Sequence, residues 1–132
     1  MRALRGYTLL EMLVVIAVIA LATGLVAPGS WRMMESWRRD SEARALLIAL
    51  ASLPASVREQ GAVVAMKAGR YDQDFAGITL PEGWTIELDR EFRVLANGAC
   101  LGTTGTLVNE GFTQPFALDS PYCRARRTDG SQ

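Results

Sequence analysis

The side chains that could do chemistry lie in three places. Glu11 stands at the head of the stretch Arg5-Gly6-Tyr7-Thr8-Leu9-Leu10-Glu11-Met12, which leads into 20 uncharged residues from Met12 to Trp31. Cys100 and Cys123 are the only thiols, and Arg124, Arg126 and Arg127 gather three guanidinium groups within four residues. Histidine is absent, which excludes Ser-His and Cys-His nucleophiles and any histidine-ligated zinc. The carboxylate pairs Asp72/Asp74 and Glu87/Asp89 have a spacing of two. Such a pair could do acid-base work or hold calcium, but solvated surface is the simpler reading, and no dense run of oxygen ligands surrounds either one. "GACLGTTG", residues 98 to 105, lacks the lysine and the length of a phosphate-binding loop and reads as a turn between strands. Neither an enzyme activity nor a bound cofactor or metal is expected.

The elements that position these residues begin with the uncharged run. At about 1.5 Å per helical residue it spans about 30 Å, the hydrocarbon thickness of a bilayer. Arg2 and Arg5 precede it and Arg32, Arg38 and Arg39 follow it, so flanking charge does not set an orientation. A secretory signal cut near Ala20-Leu21-Ala22 is one alternative. Against it stands Glu11, because an ionised group within an apolar span costs roughly 2.5 to 3.5 kcal/mol even on the lenient insertion scale. A glutamate that merely snorkels to the interface is a second alternative for that residue.

The stretch from Arg5 to Met12 resembles the processing site of type IV prepilins and of the pseudopilins of type II secretion systems. The family pattern is a basic leader ending in Gly, a cut, an aromatic residue, Thr-Leu-(Leu/Ile)-Glu, and an apolar helix. The resemblance implies a leader from Met1 to Gly6, removed by a prepilin peptidase between Gly6 and Tyr7, with Tyr7 where Phe is usual and methylation of the new terminus. Glu11 becomes the fifth residue of the mature chain, and Pro28 falls where the family often has a helix-kinking proline. In that family the helix leaves the inner membrane and packs into a filament core, where the glutamate meets the N-terminal amine of a neighbouring subunit. Glu11 then acts as a register device, since pairing recovers most of the cost of burying a carboxylate.

Beyond Trp31 the helical pattern continues to Leu53, with Trp31, Met34, Ala45, Ile48 and Leu53 among its apolar positions and Arg38, Arg39, Asp40, Glu42 and Arg44 on a solvated face. Pro54 kinks or ends this helix, and "ASVREQG" adds a turn or two before Gly61. Short β-prone runs follow at "AVVAMK", Trp84 to Asp89, "FRVL", "GTLV" and "FALD". The expected fold is α+β and pilin-like: a long kinked N-terminal helix, its transmembrane half followed by an amphipathic half packed on a small antiparallel sheet. The segments are 1–6 for the leader, 7–30 for the membrane and filament-core helix, and 31–132 for the globular part.

In a membrane-anchored chain whose body faces an oxidising space, Cys100 and Cys123 read most simply as a disulfide, worth about 3 kcal/mol for a loop of roughly 24 residues. Two separate reduced core thiols are the alternative. The disulfide reading places the N-terminus in the cytoplasm and the globular part in the periplasm.

The run from Ser41 to Gly69 resembles the H-type minor pseudopilins and the related FimT-type minor pilins, with Leu46, Leu50, Arg58 and Ala62-Val63-Val64 on their pattern, although Pro54 interrupts it. The expectation is a minor pseudopilin that assembles with other pseudopilins. The alternative is a minor type IV pilin binding nucleic acid through Arg124, Arg126 and Arg127. A solvated tail is the plainer reading of those arginines, and the balanced charge, 14 basic against 14 acidic residues, supplies no global field for an anionic partner.

Overall fold

A computed structural model describes residues 6–129, with Ala27 and Pro28 described in their backbone alone. The leader residues 1–5 lie outside the described residues. Among the described residues one helix, α1 (Leu9–Gln60), precedes ten short strands, so the fold is α+β, with all strand pairings antiparallel. The contacts divide the chain into two units, residues 1–38 and 39–132.

The helix continues through Pro28-Gly29 and through Pro54. Each proline removes one N–H from the ladder without ending it. Gly61 ends the helix in the left-handed region, at φ 65°, with its N–H donating to the Val57 carbonyl at 2.8 Å. This is the conformation that glycine adopts without steric cost.

Within the second unit the buried stripe of α1 is Ala43, Leu46, Leu47, Leu50, Leu53 and Val57, at three- and four-residue steps. Ala45 and Ile48, expected on the apolar face, are exposed, so the face lies about one residue round from the expected one. Trp31 and Met34 are exposed as well, in the first unit. The charges expected on a solvated face are in part tethers. Arg39 donates to the Glu110 carbonyl at 3.0 Å, Asp40 pairs with Arg127, and Glu42 accepts from the indole N–H of the buried Trp84 at 2.8 Å. Charge marks solvent only when no partner meets it, and here the sheet supplies partners.

The strands form three sheets instead of the single one expected. The largest runs in the order β10 (Arg124–Arg127), β9 (Phe112–Asp119), β8 (Thr103–Asn109), β5 (Thr85–Leu88), β2 (Gly69–Tyr71). A second orders β1 (Val64–Met66), β6 (Phe92–Val94) and β7 (Cys100–Leu101), and β3 (Asp74–Phe75) pairs with β4 (Ile78–Thr79). Strand β8 alternates buried and half-buried residues along its whole length, as a strand with one face on the core does. Two-residue turns close the β3–β4 and β8–β9 hairpins, Ala76-Gly77 and Glu110-Gly111, all four residues at positive φ. Such primed turns match the twist of the strands they join. "GACLGTTG" is not one turn, since it holds β7 and the start of β8. All three of its glycines are required: Gly98 has φ 84°, and a Cβ would lie 2.6 Å from the Leu118 carbonyl oxygen at Gly102 and closer still to the Glu87 carbonyl oxygen at Gly105.

Trp84, Phe75, Phe92, Phe116, Leu50 and Ile86 are the largest fully buried side chains, and they bring the helix stripe and the sheets into one core. Cys100 and Cys123 are joined by a disulfide with Cα atoms 5.4 Å apart, both within this core. It ties the end strand of the three-stranded sheet to the residue before β10.

Candidate functional site

The first site is the start of α1. Thr8 is its N-cap: the Thr8 hydroxyl accepts from the Glu11 N–H at 3.2 Å, and its carbonyl accepts from Glu11 and Met12 N–H at 3.1 and 3.2 Å. Thr8-Leu9-Leu10-Glu11 thus has the spacing of a capping box, a signal that was present in the sequence. Glu11 is the acidic residue of the first helical turn, where a carboxylate also meets the positive end of the helix dipole, worth about 0.3–1 kcal/mol at an exposed position.

Gly6, Tyr7 and Thr8 precede the helix, are exposed, and with Glu11 line one open hollow. The bond between Gly6 and Tyr7 therefore lies in non-helical backbone, the form in which a peptidase can take a chain. A Cβ built on Gly6 meets nothing within 4 Å, so among the described residues no contact requires glycine at position 6.

From Leu9 to Val26 the helix has a mean hydropathy of 2.6, and none of it is buried among the described residues. By length and composition it can cross a membrane. Its hydroxyls are satisfied by the helix itself: Thr23 donates to the Ile19 carbonyl at 2.6 Å, and Ser30, just beyond, to the Val26 carbonyl at 3.2 Å. Glu11 is left as the one charged residue between Gly6 and Trp31. Pro28 lies within this helix, and its side chain lies outside the described residues.

The second candidate is the arginine cluster, which is no tail. Residues 124–127 form β10, antiparallel to β9 in the register Arg124↔Asp119 to Arg127↔Phe116. Arg126 donates twice to Asp119, at 3.1 and 3.3 Å, and Arg127 pairs with Asp40, which also holds Arg44 at 2.9 Å. The hydrogen bond from Arg127 and the charges of Arg127 and Arg44 hold the Asp40 carboxyl below the ordinary 3.8, against a partial desolvation. Asp119 is lowered in the same way by Arg126 first and then by the charge of Arg124. Two of the three guanidiniums are thus engaged by carboxylates brought from 87 and 7 residues away, a pairing with no local sequence signal.

These shifts set an acid limb. A carboxyl lowered in the folded state stabilises the fold fully above its unfolded value and loses that contribution as pH falls through the folded one. Stability in denaturant titrations is expected to decline as pH drops below about 3.8, and Asp40→Asn and Asp119→Asn should each flatten that decline. An acid limb identical in wild type and in both variants would refute this assignment.

Of the carboxylate pairs, Glu87 and Asp89 have separate partners. Glu87 faces Arg70 at 3.8 Å and Asp89 accepts from the Thr104 hydroxyl at 2.8 Å, while among the described residues no group of three or more acidic or thiol side chains is placed to hold a metal ion.

The family described as the prokaryotic N-terminal methylation motif matches residues 1–27. No curated protein and no solved structure matches the chain. The matched segment covers Gly6, Tyr7 and Glu11 and the whole of the apolar helical span Leu9–Val26. A motif of this type implies processing by a prepilin peptidase and assembly with other pilin-like subunits.

Proposed function

We propose that this chain, which begins with a prepilin-type methylation motif, is a minor pseudopilin of the H-like branch: a non-enzymatic subunit of the periplasmic filament of a type II secretion system. The supporting observation is a motif whose glycine meets no contact that demands it among the described residues, set before a helix whose apolar residues from Leu9 to Val26 are not buried by any of the described residues. Gly6 serves the peptidase as the last residue of the leader. Tyr7 becomes the mature N-terminus. The helix holds the subunit in the inner membrane until assembly, with the N-terminus cytoplasmic and the disulfide-bonded unit periplasmic. Glu11, and Pro28 beyond it, then serve packing in the filament.

The alternative, a DNA-binding minor pilin, draws on the same N-terminus and on the arginines. It has less support, because Asp119 and Asp40 neutralise Arg126 and Arg127 where phosphates would have to compete for them.

Intact mass of the protein purified from its own membrane, with and without reductant, tests the processing. The expected species lacks Met1 to Gly6, carries one methyl group, and gains two hydrogens on reduction. An uncut chain, or one that starts near Thr23, would overturn the reading.

A further inference from the structure

The outer edge of β10 is open. In the five-stranded sheet β10 is an end strand, paired with β9 on one side only. Thr128 N–H donates to the Pro115 carbonyl at 3.0 Å, which fixes the alternation of the ladder. Arg126↔Ala117 and Arg124↔Asp119 are then the pairs that exchange hydrogen bonds, and the N–H and C=O groups of Ala125 and Arg127 turn outward. Beside this edge runs a groove of about 400 Å³ between β10 and α1, lined by Arg44, Leu47, Ile48, Ala51, Arg124 and Ala125. Its floor is apolar, and Ile48 is 71% exposed there. A lone isoleucine on a helix surface is ordinary, but here it adjoins unpaired strand backbone and a charge imbalance.

That imbalance selects the occupant. In the ion-pair network at this edge, Asp40 holds Arg44 and Arg127, and Asp119 holds Arg126 with Arg124 nearby. Four guanidiniums thus face two carboxylates, and Arg124, without an ion-pair partner among the described residues, stands at the rim of the groove. An open strand edge takes an added strand through main-chain bonds, with alternate side chains read by the adjoining surface. We infer that the β10 edge and its groove bind an extended protein segment in which acidic residues alternate with branched apolar ones, adding it as a sixth strand. Its apolar side chains cover Leu47 and Ile48 on the helix side, and its carboxylates, on the other face of the added strand, meet Arg124. Nucleic acid fits less well, since phosphates would not cover the apolar floor.

The test uses the full chain in detergent micelles and a fluorescein-labelled hexapeptide alternating glutamate and valine, read by anisotropy. A peptide alternating lysine and valine, and a labelled DNA duplex, serve as the other probes. Saturable binding of the acidic peptide is expected, with no saturation by the lysine peptide. Arg124→Glu and Ile48→Asp change exposed side chains and should each weaken binding by about tenfold or more with the melting temperature preserved. Ala125→Pro removes an outward N–H and leaves the bonds to β9, carried by Arg124 and Arg126, in place; it should weaken binding in the same way if it melts like wild type. The inference is overturned by absence of saturable binding up to millimolar peptide or by equal binding of the two peptides. It is equally overturned if Arg124→Glu and Ile48→Asp keep wild-type affinity, or if DNA displaces the peptide and its own binding responds to Arg124→Glu alone.

Discussion

Replacing Glu11 by Ala is expected to leave a processed, membrane-held protein that does not enter the filament. The helix start survives the change, because the bonds made to Thr8 come from the backbone N–H groups of residues 11 and 12 and not from the carboxylate. Loss of the dipole term removes only about 0.3–1 kcal/mol. What disappears is the partner proposed for the N-terminal amine of a neighbouring subunit. Removing one member of a desolvated pair costs about 3–5 kcal/mol, which is more than about a hundredfold in an incorporation equilibrium. The measurement is the fraction of subunit recovered in sheared or pelleted filaments relative to the membrane pool, with the mass of the processed chain as control. Normal incorporation of Glu11→Ala would sink the register role, whereas failure of processing would point to the peptidase instead.

Replacing both Cys100 and Cys123 by Ala is expected to destabilise the globular unit by about 3 kcal/mol, from the loop entropy returned to the unfolded chain. For a domain of this size that corresponds to a fall in melting temperature on the order of 10–20 °C. Both half-cystines sit within the core, at 1% and 0% exposure, so the bridge braces a packed region and not a loose tail. It also anchors the residue that leads into β10, and the pairing of Arg127 with Asp40 should loosen with it. Thermal unfolding of the oxidised protein, the reduced protein and the double variant checks this. Midpoints within a degree or two of one another would show that the bridge adds nothing to the fold.

The legible parts of the molecule share a physical character. The long apolar run, the break in charge at Glu11 and the strand runs at 64–66, 85–88 and 92–94 depend on neighbours within a few residues, so composition and period carry them. The Thr8 cap belongs with these, for its Thr-x-x-Glu spacing was in plain view. Less legible were β2, β3, β4 and β7, strands of two or three residues that have almost no period of their own and exist because a partner strand pairs with them.

By itself, then, the sequence determined the prepilin-like N-terminus, a helix able to enter a membrane, a cysteine pair able to close, and an α+β body behind them. Tertiary structure decided the rest. A helical period of 3.6 says that one stripe is buried but cannot choose between Ala45-Ile48 and Leu46-Leu50 when apolar residues occupy both, and the sheet's shape chose the second. It also turned Arg39, Asp40 and Glu42 from solvated charges into tethers, and the three terminal arginines from a tail into an edge strand. Each of those outcomes depends on a partner far along the chain, and a partner's distance in space is what a linear pattern does not contain.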